Sequence, residues 1–126
     1  MTRKRVFIAG PIVSGDLGAN ITQAVEAMHA LMRAGLAPFC PHLSCFAGGV
    51  CGRTWGGEPW AKAEVLPRDT TLADWYGIDL PWVDVSEALL RLPGEGKGSD
   101  GEVARAVERG IPVFYSVADV VAWAAE

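Results

Sequence analysis

The chain has 126 residues, half of them hydrophobic and 21% charged, with a formal net charge of −4. That length and balance describe one globular domain with a real core and exclude a disordered chain. The acidic balance and the small Arg3-Lys4-Arg5 cluster offer no surface for a nucleic acid polymer, and no apolar run reaches the length of a membrane span.

In chain order, Arg5-Val6-Phe7-Ile8-Ala9-Gly10 is an apolar run of the kind that forms a buried parallel strand. A turn-rich loop, Pro11 to Gly18, follows it, and Asp16 or Asn20 can cap the next helix. Ile21, Val25, Met28, Leu31 and Met32 form that helix's apolar stripe, and Gly35 stops it. Leu36-Ala37-Pro38-Phe39-Cys40 is a second short strand, placed near an edge by Pro38. Strand, helix and strand in this order make a βαβ unit.

Pro41 to Thr70 carries five glycines, three prolines, Trp55 and Trp60, with no clean period. A loop this long reads either as a functional lid or as a partly disordered insertion. The cysteines, Cys40, Cys45 and Cys51, are an odd number outside any metal-ligand spacing. They read as reduced thiols of a cytoplasmic protein, in keeping with an N-terminus that has no secretory pattern. With only His29 and His42 to help them, no zinc site is expected.

Thr71 to Val85 has a helical pattern, capped by Thr70 or Thr71, with Gly77 and Pro81 expected to kink or split it. Ser86 to Leu92 leads into a third strand, and Ile111 to Tyr115 reads as a fourth. Ser116 is placed to cap a last short helix over Val117 to Trp123. Between the last two strands lie the glycines Gly94, Gly96, Gly98 and Gly101, then an alanine-rich amphipathic helix ending at Gly110. The expected fold is therefore α/β: a doubly wound, mainly parallel sheet of four to five strands with helices on both faces. In such a sheet the loops after the strands gather on one edge, where ligands bind.

Glu102 is expected in the first turn of the helix after the glycines. There a carboxylate is stabilised by the helix N-terminus and stays ionised, as a nucleophile should. The plain alternative is an ordinary first-turn acid behind a flexible surface loop.

Three stretches together resemble the nucleoside 2-deoxyribosyltransferase superfamily, in particular its small bacterial and phage members. They are Val6-Phe7-Ile8-Ala9-Gly10-Pro11-Ile12 with the helix opening at Asn20; Trp75 with Asp79-Leu80-Pro81-Trp82-Val83 and Ser86-Glu87-Ala88-Leu89; and Leu92-Pro93-Gly94 through Gly98 to Glu102, followed by Gly110-Ile111-Pro112-Val113. The resemblance covers most of the chain apart from Cys45 to Asp69. It implies one domain of this kind over residues 1–126, with a long loop or lid at about 43–70.

The resemblance also implies chemistry. An acid four positions after a loop glycine, here Glu102 after Gly98, would attack the anomeric carbon of a (deoxy)nucleoside and form a glycosyl ester. An acceptor base would then take the deoxyribosyl group. Asp79 matches the family's acid that contacts the base and assists the leaving group; its plain alternative is a helix N-cap beside Pro81. Substrate-binding positions implied are Phe7, Gly10, Pro11, Ile12, Asn20, His42, Trp75, Gly94, Gly96, Lys97, Gly98 and Ser99. No metal or organic cofactor is implied. The expected partners are a nucleoside or nucleotide and further copies of the chain, as a homodimer or higher homo-oligomer.

Two positions depart from the family's pattern. Phe7 stands where a tyrosine often orients the nucleophile, which leaves Tyr76 or Tyr115 to do so. Gly96 stands where nucleotide-hydrolysing relatives carry a serine for the 5′-phosphate. The alternatives to transfer are therefore an N-glycosidase acting on nucleoside 5′-monophosphates and a nucleotide-binding module without catalysis. The scarcity of cations in the two glycine loops, where Lys97 stands alone, favours an unphosphorylated nucleoside.

Overall fold

The computed structural model describes residues 2–12, 14–46 and 72–126. Its elements are β1 (Arg5–Ala9), α1 (Leu17–Arg33), β2 (Ala37–Phe39), a 3-10 turn (Pro41–Phe46), α2 (Leu72–Asp84), β3 (Ala88–Arg91), α3 (Lys97–Glu108), β4 (Val113–Phe114) and α4 (Val117–Ala124). The described strands form one four-stranded sheet in the order β2-β1-β3-β4. Every pairing is parallel, with Phe7 beside Phe39 and Leu89, Ala9 beside Arg91, and Leu90 beside Phe114. This is the expected α/β architecture.

The two central strands are apolar on both faces, as strands covered by helices on both sides must be. On one face Val6, Ile8, Ala88 and Leu90 pack with Ala24, Ala27 and Leu31 of α1 and Val120 of α4. On the other, Phe7, Ala9 and Leu89 pack with Val83 of α2 and Ala106 of α3. Helices α2 and α3 therefore share one face of the sheet.

Local chemistry sets the helix ends. Asp16 caps α1, its carboxylate accepting from the Ala19 N–H at 3.0 Å. Asn20 does not cap; its amide donates to the carbonyls of Ile12 (3.0 Å) and Ser14 (2.8 Å) and ties down the loop after β1. Gly35 and Gly110 take the left-handed conformation after α1 and α3. Ser116 caps α4 through the Asp119 N–H at 3.1 Å.

Helix α2 is not split. It runs through Gly77 and Pro81 without a break from Leu72 to Asp84. Proline removes one helical hydrogen bond, to the carbonyl four residues back, which is that of Gly77. Both residues are exposed, so that carbonyl has access to water and the interruption is tolerated. Strand β4 is shorter than expected, as suits an edge strand beginning just after Pro112. The expected caps Thr70 and Thr71, Cys51, Trp55 and Trp60, and the loop or lid after residue 46, lie outside the described residues.

Candidate active site

The strand order reverses at β1 and β3. The chain leaves β1 towards β2 on one side and later leaves β3 towards β4 on the other. The loops after β1 and β3 consequently diverge and open a crevice at the carboxyl ends of the two strands, where open α/β folds bind ligands. One wall is Gly10 to Ile12 with Ser14 to Asp16, and the other Leu92 to Gly96.

The two walls touch. Gly94 has φ +113°, and a Cβ built on it would lie 2.7 Å from Pro11 Cγ. Gly96 is nearly as close, its would-be Cβ lying 3.4 Å from Pro11 Cα and 3.1 Å from Ser99 Oγ. Below Pro11 sits His42, fully buried, with Nε2 3.2 Å from the Pro11 carbonyl and Nδ1 3.7 Å from Cys40 Sγ. Burial pushes the His42 imidazole below its ordinary range and so keeps it neutral.

Glu102 lies on α3, on its buried face with Ser99 and Ala106, and is 6% exposed. Here two expectations are corrected. The helix begins at Lys97, so Gly98, Ser99 and Gly101 are helical and Glu102 sits a turn deeper than the first turn, where Asp100 stands. The helix-terminal field falls off within that first turn, and burial dominates instead. Glu102 is not held ionised: its carboxyl is pushed up to about 8, first by burial, then by the Asp79 charge and the hydrogen bond with Asp79, against the pull of Arg91.

Asp79 meets Glu102 from the middle of α2, so it is not that helix's N-cap. Burial raises it to about 6, while the Glu102 hydrogen bond lowers it. Asp79 is half-buried and Glu102 buried, and two carboxyls in contact there cannot both ionise cheaply, so the pair holds one proton between two titration steps. Among the described residues the partner of Glu102 is thus Asp79, and Tyr115 does not orient it. Tyr115 is 67% exposed and lines a groove of 520 Å³ with Arg91, Pro93, Asp100 and Val103, on a different flank of α3 from Glu102.

Arg91 is the site residue that the sequence reading missed. It ends β3 opposite Ala9, and its side chain is only 11% exposed. Its guanidinium donates to the carbonyls of Leu92 and Gly94, the latter at 2.7 Å, and reaches Asp100 Oδ1 at 3.3 Å. It braces the glycine loop from within and supplies positive charge near Glu102. The available signal was a lone cation at the end of a buried strand, directly before the loop.

The other expected binding positions separate into two groups. Gly10, Pro11, Gly94 and Gly96 form the touching walls, with Ile12 and Asn20 behind them. Lys97 is exposed at the start of α3, with Gly98 half-buried beside it and Ser99 4% exposed. Phe7 and His42 are fully buried. Phe7 forms the floor under α3, its ring 5.5 Å from Phe39, which in turn stacks on Trp82 at 5.3 Å. Trp75 and Tyr76 belong to α2 by their backbone, and their side chains lie outside the described residues. Among the described residues no cluster of three or more His, Cys, Asp or Glu is placed to hold a metal ion, and no helix is long and apolar enough to cross a membrane.

No family model and no curated protein matches the chain. Among solved structures, a 2-deoxyribosyltransferase from the psychrotolerant bacterium Bacillus psychrosaccharolyticus, described as a biocatalyst for the synthesis of antiviral and antitumoral nucleosides, is similar in fold. The TM-score is 0.56 and the identity 14%, over 86% of this chain and 69% of that one. The similarity is one of fold.

Proposed function

We propose that this protein cleaves the N-glycosidic bond of a (deoxy)nucleoside and transfers the sugar to an acceptor base, with Glu102 as nucleophile. The observation that carries this reading is the hydrogen-bonded Asp79–Glu102 carboxyl pair, with Glu102 buried and Asp79 half-buried, on the two helices that cover one face of the sheet. The fold shared with a 2-deoxyribosyltransferase supports it.

The chemistry follows from one shared proton. At rest the proton belongs to Glu102, which has the higher affinity for it, and its O–H donates to Asp79. Transfer of that proton to Asp79 leaves Glu102 an anion that can attack the anomeric carbon. The C–N bond breaks, its electron pair goes to the base, and Asp79 gives its proton to that base. A Glu102–sugar ester remains, formed through an oxocarbenium-like transition state. The acceptor base then attacks the same carbon, returns a proton to Asp79 and frees Glu102. Arg91 favours the ionised form of Glu102 that attack requires.

The test is chromatography of free base and new nucleoside from deoxynucleosides and their 5′-monophosphates, each with and without an acceptor base. Exchange that depends on the acceptor, together with a sugar adduct on the intact protein when no acceptor is present, is the expected result. Release of base only from monophosphates, indifferent to acceptor, would make the protein a nucleotide hydrolase. No turnover of any of them would leave a binding module.

A further inference from the structure

The carboxyl pair joins two helices. Asp79 is on α2 and Glu102 on α3, and what sets those helices against each other decides whether the carboxyls meet. The apolar contact between them includes Val83 and Ala106, both fully buried. Such contact is non-directional: it brings two helices together without fixing rotation or axial register.

A directional contact lies beside it. The Arg105 guanidinium grips Asp84 with both ends of its fork, Nε to Oδ1 at 2.6 Å and Nη2 to Oδ2 at 2.7 Å. Arg109 adds a second cation to Asp84 at 3.5 Å. Arg105 stands one helical turn after Glu102, and Asp84 about a turn and a half after Asp79. A two-point planar grip constrains both rotation and sliding, which a single point charge does not.

We infer that the Asp84–Arg105 pair is a positioning device that holds α2 and α3 in the register at which Asp79 meets Glu102. The inference rests on reading that carboxyl pair as the reacting one. Arg105 does not touch the site; it acts through the helix that carries Glu102. Among the described residues, the charged groups around Glu102 are Asp79 from α2 and Arg91 from β3, with Phe7 and Ala9 of β1 in the same apolar layer. Around the grip itself are Arg109 and Glu108.

The test compares wild type, Arg105→Lys and Asp84→Asn by carboxyl-carbon NMR titration of Asp79 and Glu102 without substrate, and by base-release kinetics. Arg105→Lys keeps a positive charge and loses the fork, so it remains informative if Asp84→Asn fails to fold. The expected result is that the two titration steps draw together towards the ordinary carboxylate range, and that kcat falls roughly 10- to 100-fold with little change in KM. Titration steps in Arg105→Lys that stay as far apart as in wild type would overturn the inference. The titration needs no turnover: steps that merge in a protein with no activity on any nucleoside would uphold the positioning and reject the proposed reaction.

Discussion

Gly94 rests on the ring of Pro11, with 2.7 Å between Pro11 Cγ and the point where a Gly94 side chain would begin. The contact joins the loops after the two central strands at one point, and each side is braced from below. The His42 imidazole lies on the Pro11 carbonyl and the Arg91 guanidinium on that of Gly94. The crevice walls therefore form one connected layer, built from backbone that only a glycine at 94 permits.

Gly94→Ala is expected to destabilise the fold by about 1–3 kcal/mol, because it adds both a left-handed alanine and a clash with Pro11. Gly101 lies inside α3 with nothing within 4 Å of its would-be Cβ. Gly101→Ala is accordingly expected to stabilise by about 0.5–1 kcal/mol. Denaturant unfolding of the two variants beside wild type checks the opposite signs.

Glu102→Gln keeps the shape of the side chain and removes the nucleophile. Base release should fall by at least about 10³-fold with the circular dichroism spectrum unchanged. Turnover near the wild-type rate would refute the proposed mechanism.

The carboxyl pair sets a pH profile. Activity requires one proton on the pair, so kcat/KM should be bell-shaped, rising near 6 and falling near 8, the values at which Asp79 and Glu102 titrate. Stability follows the same steps with a definite sign. Glu102 holds its proton up to about 8 when folded and loses it near 4.5 when unfolded. The folded state binds more protons across that window, so the stabilisation is fully present below it and is lost as pH rises through it. Between pH 6.5, His42's ordinary value, and about 8, His42 is mostly neutral folded or unfolded, and Glu102 dominates. The wild-type melting temperature should fall over that interval by about 4 °C for each kcal/mol lost, and Glu102→Gln should be flatter. Parallel melting curves for the two proteins would show that Glu102 is not the titrating group.

His42→Ala should cost about 2–4 kcal/mol, since it empties a fully buried volume and strips the Pro11 carbonyl of its partner. Base release should also weaken, through the displaced loop. The outcome is read by comparing melting temperature with kcat/KM in the same preparation.

How much of this was legible in the chain depends on the range of each interaction. The strands around Val6–Ala9 and Ala88–Leu90, the cap Ser116, and the stops Gly35 and Gly110 are local in origin. An apolar run, a short polar side chain next to free N–H groups, and a residue without a Cβ act within a few positions, so the sequence alone determined them. The strand–helix alternation likewise determined a parallel sheet and the edge on which its loops collect. Tertiary structure decided the rest. Glu102 looked like a first-turn carboxylate kept ionised by its helix; the helix starts early, the residue is buried, and a carboxyl 23 positions away in sequence raises its proton affinity. Asp79 looked equally like a cap and an acid until α2 ran through Pro81 and carried it to Glu102. Arg91 and the Asp84–Arg105 grip were invisible for the same reason: the strength of a charge or a hydrogen bond depends on which distant groups share its low-dielectric surroundings, and only the packed chain specifies those.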